Sequence, residues 1–505
     1  MSQEIKTAKI TVGNEIFTVP VGTRLSDAIG IPKICGGHGK CGKCKIKALG
    51  ILSPFSYEEN KHLTAEEIAK GIRLACRTYV HGDCRAERLD NQESQISIVS
   101  ESRDAIRLGV PAFKEYGVAI DVGTTTLAAH LYNAAGEQIA EDGIKNPQSA
   151  YGADVISRLE AALGGKAKEL ADCVRKAINE LIYSLSCSAS IHSRLIDGAV
   201  ITGNTAMLTL LAEYPSEPLS HAPFCADELF GKTLSASELG ISALPDDTKI
   251  YLPPCISAFV GADMTCAILA SGLTDDPSPA LIADIGTNGE MAIWSGDAGQ
   301  VCSTAAGPAL EGATIKMGMM GENGAVDRVT PVNGMLSAHV IGNSPPRGIC
   351  GSGLIDTIAC LLDMGELDES GLLENDPTTI LPPVVLTQED IRMVQLAKGA
   401  IHAGIMTLLD SSNISPSDID RFYIAGGFGS RLNIHSAARI GLIPPVLAGK
   451  AQTIGNAALH GASMLLLDTA LRKTAAKICH RFSLLDIAQS PAFSTNYING
   501  MAFPQ

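Results

Sequence analysis

Apolar and polar residues alternate through Thr7–Val12 (TAKITV) and again through Glu15–Pro20 (EIFTVP), and the Gly13-Asn14 pair between them favours a hairpin turn. The pattern predicts a short helix over 24–30 and a further strand over 43–49. Thr64-Ala-Glu-Glu67 is a capping box, which predicts a helix running to about Gly71. Residues 91–115 carry charge and little periodicity and read as a linker. Beyond them the apolar runs lengthen. Ala119-Ile-Asp-Val and Ile282-Ala-Asp-Ile each read as a buried strand that breaks at a glycine and resumes as a second apolar strand (LAAHLY, MAIW). Helical spacing predicts helices over 150–164 and 166–190, and a long one capped by Thr387-Gln-Glu-Asp390 and running to about Asp410. Residues 212–250 are mixed and Pro-rich and read as a subdomain insertion. The closing segment has no period and is expected to pack back on the body. The division expected is 1–90, a linker over 91–115, and a body over 116–505.

Length agrees with several domains: 505 residues at roughly 100–200 per domain suggest three. With 46% apolar and 18% charged residues the chain can bury large cores. A net charge of −15 argues against a nucleic-acid-binding protein, whose expected footprint is basic. No apolar run reaches the roughly 18 residues of a membrane span, and the opening residues lack the apolar core of a signal peptide. A soluble, cytoplasmic protein with no membrane partner is expected. Its 14 cysteines are then unlikely disulfide partners.

Four cysteines form a pattern. Cys35, Cys41 and Cys44 have the spacing C-x5-C-x2-C within CGGHGKCGKC, and Cys76 follows in RLACRT. Thiolates converging from a loop of little side-chain bulk suit an iron–sulfur cluster, and Gly36, Gly37, Gly39 and Gly42 supply such a loop. Zinc also accepts four cysteines, usually as two C-x2-4-C knuckles, and here the second knuckle is missing. Cys84 reads as a bystander close enough to be a spare ligand. In element order and ligand spacing, residues 1–90 resemble a β-grasp [2Fe-2S] ferredoxin domain of the adrenodoxin-like type. This stretch holds 14 Lys+Arg against 10 Asp+Glu, while the rest of the chain holds 25 against 44. Lys33, Lys40, Lys43, Lys45 and Lys47 crowd the cysteine loop, and the expectation is a basic cap that docks on an acidic surface.

The two broken strands carry the other chemistry. Both read Asp-x-Gly-Thr: Asp121, Gly123, Thr124 and Thr125 in the first, Asp284, Gly286, Thr287, Asn288 and Gly289 in the second. Such a glycine lets backbone N–H groups approach phosphate oxygens, and threonine hydroxyls add donors. A carboxylate repels phosphate, so its natural place is on Mg²⁺, through water. A third glycine turn, Gly426, Gly427 and Gly429 in IAGGFGS, leaves space for a nucleoside against the backbone. This order resembles the ASKHA superfamily of sugar and acetate kinases, Hsp70 and actin. The resemblance implies a duplicated RNase H-like α/β domain clamping Mg-ATP. It places Asp263, about 20 residues before the second loop, where sugar kinases carry a base; Asp263 also suits the N-terminus of a helix. Glu290 and Glu311 stand near enough in sequence to reach Mg²⁺ through water, or serve as ordinary strand and loop residues. Gly203-Asn204-Thr205 reads as a connection, and Lys398 as a solvated lysine in preference to one stacked near adenine.

Together, DVGTTT, DIGTNGE, GPALEGA, IAGGFGS and PAFSTNYINGMAFP resemble the reductive activators of corrinoid-dependent methyltransferase systems. The resemblance implies ATP-dependent return of an oxidised Co(II) corrinoid protein to Co(I), with an electron passed from a low-potential donor through the [2Fe-2S] cluster. It leaves a homodimer open. Two other classes compete: an ATP-driven activator of the 2-hydroxyacyl-CoA dehydratase type, which would lack the fused ferredoxin, and a small-molecule kinase with a regulatory cluster.

Overall fold

The structure, a computed structural model, describes residues 6–13, 15–31, 37–39, 42–89, 106–222, 224–427 and 431–504. Contacts divide the chain into two units, residues 1–95 with 147–164, and residues 96–146 with 165–505.

The first unit is built on five strands: β1 (Thr7–Val12), β2 (Glu15–Pro20), β3 (Lys45–Leu52), β4 (Ile72–Leu74) and β5 (Val80–Arg88). Their order is β2-β1-β5-β3-β4, with β1 and β5 parallel and the other pairs antiparallel. This is the β-grasp arrangement expected. The hairpin closes with Val12 opposite Glu15. The predicted capping box forms: Thr64 Oγ1 accepts from Glu67 N, and Glu67 Oε2 accepts from Thr64 N. Ile10, Leu25, Ile46, Leu74 and Val80 make the core. Each such side chain contributes about 1.5–3 kcal/mol by leaving water. The core also holds one ion pair. Glu59 Oε1 accepts from Arg73 Nε at 2.7 Å and from Leu74 N at 3.1 Å, which satisfies a charge that burial alone would make costly.

The second unit repeats one topology twice. In the first repeat, β6 (Tyr116–Val122), β7 (Thr126–Asn133) and β8 (Gln138–Lys145) form an antiparallel meander. β9 (Ile196–Gly203) pairs parallel to β6; β10 (Phe230–Ser235) and β11 (Lys249–Pro254) complete the order β10-β11-β9-β6-β7-β8. The second repeat opens with the meander β12 (Ala280–Ile285), β13 (Gly289–Trp294) and β14 (Gly299–Thr304). An insertion follows: the small sheet of β15 (Ala325–Val332), β16 (Met335–Val340) and β17 (Gly348–Ile349), and the hairpin of β18 (Thr378–Leu381) and β19 (Val384–Leu386). Then β20 (Arg421–Ala425), β21 (Ala451–Thr453) and β22 (Phe482–Leu484) give the order β21-β20-β12-β13-β14-β22. In both repeats the first strand lies between its own meander and a parallel strand, as a duplicated RNase H-like fold requires. Helices Ala262–Ser271 and Ala457–Leu467 cross at Gly461, where a Cβ would collide with the Cys266 carbonyl.

One expectation changes. Residues 230–254 are no separate insertion; β10 and β11 extend the first main sheet. The two helices expected over 150–164 and 166–190 form as Val155–Ala161 and Ala167–Ser188, with Gly165 left-handed between them at φ 88°. The closing segment does pack back, as a helix over Pro491–Met501.

Candidate functional site

Each Asp-x-Gly-Thr motif sits where the first strand of a repeat turns into the second. After β6 the chain turns through Gly123, Thr124 and Thr125. Asn146 holds the turn, its Nδ2 donating to the Gly123 carbonyl at 2.8 Å and its backbone N–H to the Thr125 carbonyl at 2.9 Å. A Cβ on Gly123 would stand 2.7 Å from the Thr126 carbonyl oxygen. After β12 the turn is tighter, with Gly286 N–H donating to the Asn288 carbonyl at 3.1 Å and Gly289 opening β13.

The two turns meet. Thr125 Oγ1 and Thr287 Oγ1 lie 3.3 Å apart, and both donate to Glu311 Oε2, at 3.0 and 2.9 Å. Glu311 ends a short 3₁₀ turn, Pro308–Glu311, flanked by two left-handed glycines, Gly307 and Gly312, each at φ 76°. Gly307 N–H donates to the Thr287 carbonyl at 2.9 Å, which ties this turn to the second loop.

Five carboxyls share the site: Asp121, Asp263, Asp284, Glu290 and Glu311. Each is pushed upward, first by the dense protein around it. Asp121 reaches about 6, Asp284 about 7 and Asp263 about 8. Asp121 adds repulsion at both Asp263 and Asp284, while Glu311 adds it at Asp284. Glu290 rises well above the carboxylate range through burial and the charges of Asp263 and Asp284. For Asp121, Asp284 and Glu311, no positive side chain among the described residues offsets the cost. Among the described residues no three of these acids converge closely enough to hold a metal ion directly, so a divalent cation here would keep water among its ligands.

Two asparagines support the acids in the same way. Asn204 caps helix Thr205–Leu211, its Oδ1 accepting from Ala206 N, and its Nδ2 donates to Glu290 Oε1 at 2.7 Å. Asn456 caps helix Ala457–Leu467 through Leu459 N, and its Nδ2 donates to Asp121 Oδ2 at 3.0 Å. Asp263 occupies the second position of helix Ala262–Ser271, and its Oδ1 accepts from Met264 N. Asp263 is thus the N-terminal helix carboxylate of one reading, and it stands within the field of Asp121 and Asp284. Gly426 is left-handed at φ 98°, and a Cβ there would lie 2.6 Å from Asp284 Oδ1. Gly427 is open, with nothing within 4 Å of a Cβ position. Gly429 lies outside the described residues.

In the first unit, Cys44 and Cys76 are buried side by side, with Ala75 N–H donating to the Cys44 carbonyl at 2.9 Å. Gly39 and Gly42 are left-handed, and a Cβ on either would press on Arg77 and Glu58 or on the His62 ring. A bare, tightly curled loop beside two buried thiols fits an iron–sulfur cluster. Cys35 and Cys41 lie outside the described residues. Cys84 is buried on β5 opposite Gly50.

Residues 10–81 match the 2Fe-2S iron–sulfur cluster binding domain. Residues 116–276 match the RACo middle region, and residues 278–505 the C-terminal ASKHA domain of RACo. The corrinoid activation enzyme RamQ of Eubacterium limosum is 34% identical over 426 residues, covering 77% of this chain and 70% of that protein. The chain belongs to the reductive activators of corrinoid systems. A second activator relative is the [Co(II) methylated amine-specific corrinoid protein] reductase of Methanosarcina barkeri, 26% identical over 420 residues and 77% of each chain. The solved structure of a reductive activator for a corrinoid, iron–sulfur protein superposes with a TM-score of 0.73 at 28% identity, covering 99% of this chain and 98% of that one. Among the described residues of this activator, no helix is long and apolar enough to cross a membrane.

Several site residues of the activator escaped the sequence reading. Asn146 and Asn456 drew no notice, and Asn204 read as a mere connection. For Asn204 and Asn456 the local signal is an asparagine ahead of an apolar helix, which announces a cap and nothing of the second bond. Lys398 is not solvated. It is fully buried, donating to the carbonyls of Gly500 and Ala502 at 2.6 Å each, with the Phe503 ring 4.8 Å away. It pins the closing helix rather than a nucleotide. The basic cap is also partly neutralised, because Lys45 pairs with Glu67 at 2.6 Å and Lys47 with Glu87 at 3.1 Å.

Proposed function

We propose that this activator returns a Co(II) corrinoid protein of a methyltransferase system to Co(I), driven by ATP and supplied by a low-potential electron donor. The observation that carries the reading is one chain joining an iron–sulfur domain to an ASKHA domain whose two Asp-x-Gly-Thr turns converge. When bound by Cys35, Cys41, Cys44 and Cys76, a [2Fe-2S] cluster supplies a one-electron store. The chain's own residues divide the remaining work. The turns at Gly123 and Gly286 present backbone N–H groups and the hydroxyls of Thr124, Thr125 and Thr287 to the phosphates of ATP. Asp121 and Asp284 would hold Mg²⁺, whose charge would relieve their mutual repulsion. Asn288 and Gly289 complete the second turn, and Gly426, Gly427 and Gly429 receive the nucleoside. Asp263, its carboxyl raised by burial and by the charge of Asp121, serves as the base that takes a proton from an attacking water.

ATP is needed because the electron step runs uphill. A gap of ~150 mV corresponds to roughly 3.5 kcal/mol for one electron. Two protein conformations that bind nucleotide unequally can supply that much. The test mixes the cluster-loaded protein, a reductant and a Co(II) corrinoid protein and follows the Co(I) absorbance. Reduction should require Mg-ATP; equal reduction without it sinks the coupling.

A further inference from the structure

We infer that Glu311 is a latch that stands in for the outermost phosphate of ATP, holding Thr125 and Thr287 together until that phosphate displaces it. The inference rests on reading the two turns as a nucleotide clamp. A threonine hydroxyl has one proton to donate. Thr125 and Thr287 both give theirs to one oxygen, Glu311 Oε2. A phosphate oxygen needs those same protons, so each hydroxyl serves either Glu311 or phosphate. Charge sharpens the competition, because a carboxylate and a phosphate cannot share one pair of donors without strong repulsion. The other oxygen, Glu311 Oε1, lies 3.6 Å from where a Gly286 Cβ would be, above the bare turn itself.

Glu311 also has a route by which its release is felt elsewhere. Its turn is bounded by left-handed Gly307 and Gly312, and the backbone at Gly312 packs on Gly318 and Met319. Met319 N–H in turn donates to the Ile349 carbonyl of β17, next to helix Gly351–Met364. Withdrawal of Glu311 therefore loads the inserted sheet, a segment distinct from the phosphate turns.

The test measures ATP and ADP affinity, with Mg²⁺, for the full-length cluster-loaded protein. Glu311→Ala should bind ATP about tenfold more tightly than wild type and ADP within about twofold, because only ATP carries the phosphate that competes. Glu311→Gln keeps an acceptor oxygen but loses the charge, and should give a smaller gain in the same direction; it also serves if the alanine variant does not fold. A structural defect would weaken both nucleotides. Unchanged or weaker ATP binding in Glu311→Gln overturns the latch. Failure of wild type to bind ATP at all would instead overturn the clamp.

Discussion

Asn456 Nδ2 donates to Asp121 Oδ2 at 3.0 Å, although 335 positions separate the two residues. The bond ties the first Asp-x-Gly-Thr turn to the helix Ala457–Leu467, which follows β21 in the chain. It is also the one interaction that draws the Asp121 carboxyl back down against burial. Asn456→Ala should raise that carboxyl further, cost about 1–3 kcal/mol, and reduce ATP turnover. Urea unfolding and phosphate release measure the two effects. Unaltered turnover would place Asp121 away from the nucleotide.

Asp284 and Gly426 should fail together. Asp284→Ala removes the central acid of the second turn and should abolish ATP turnover while leaving the visible spectrum of the cluster intact. Gly426→Ala places a Cβ 2.6 Å from Asp284 Oδ1 at a φ of 98°, so either the backbone or the acid must move. It should reproduce most of the Asp284→Ala loss. Normal turnover in both variants would mean the acid site lies elsewhere.

Cys76→Ala should eliminate the paramagnetic signal of the reduced cluster, since the loop has no second cysteine knuckle to replace it. Cys84→Ala should retain it. A signal that survives the first change and disappears with the second would reassign the fourth ligand.

Lys398 is held by two carbonyls and an aromatic ring, while burial pushes its ammonium down to about 7. Lys398→Met keeps the aliphatic volume and leaves the Gly500 and Ala502 carbonyls without their donor. The expected loss is about 1–3 kcal/mol, with earlier proteolytic release of the closing helix. Equal stability and equal protease resistance would show that apolar packing alone holds the tail.

His130 supplies a pH dependence with a definite sign. Burial lowers its pKa from 6.5 to about 4, against the pull of Glu141. The folded protein therefore binds fewer protons than the unfolded chain between those values. Stability is fully present above about pH 6.5 and falls as the pH drops toward 4. His402, lowered to about 4 by burial and by Lys398, adds to the same trend. His130→Gln should flatten the decline in urea midpoint over this range; an unchanged slope would assign the acid sensitivity to other groups.

Much of the architecture is local and was legible for that reason. The β1–β2 hairpin follows from alternation and one turn, the Thr64 and Thr387 capping boxes from four residues each. The two Asp-x-Gly-Thr turns are continuous in sequence and repeat each other. The cysteine spacing states its own ligand chemistry. Less local features misled the reading: β10 and β11 looked like an insertion because β9, the partner of β11, lies well upstream.

What the chain determined by itself was which groups are available: thiols in a glycine loop, two acid-bearing Asp-x-Gly-Thr turns, and a third glycine turn. Only the tertiary structure decided which of them face each other. Asn204 and Asn456 look like any polar residue until packing brings their amides against Glu290 and Asp121. Glu311 gains its role because Thr125 and Thr287 arrive from different repeats at the same oxygen. Lys398 changes from a surface residue to a buried clamp once the last helix folds over it. Periodicity and spacing report a residue's own element, whereas a hydrogen-bond partner hundreds of positions away is set by how the elements pack.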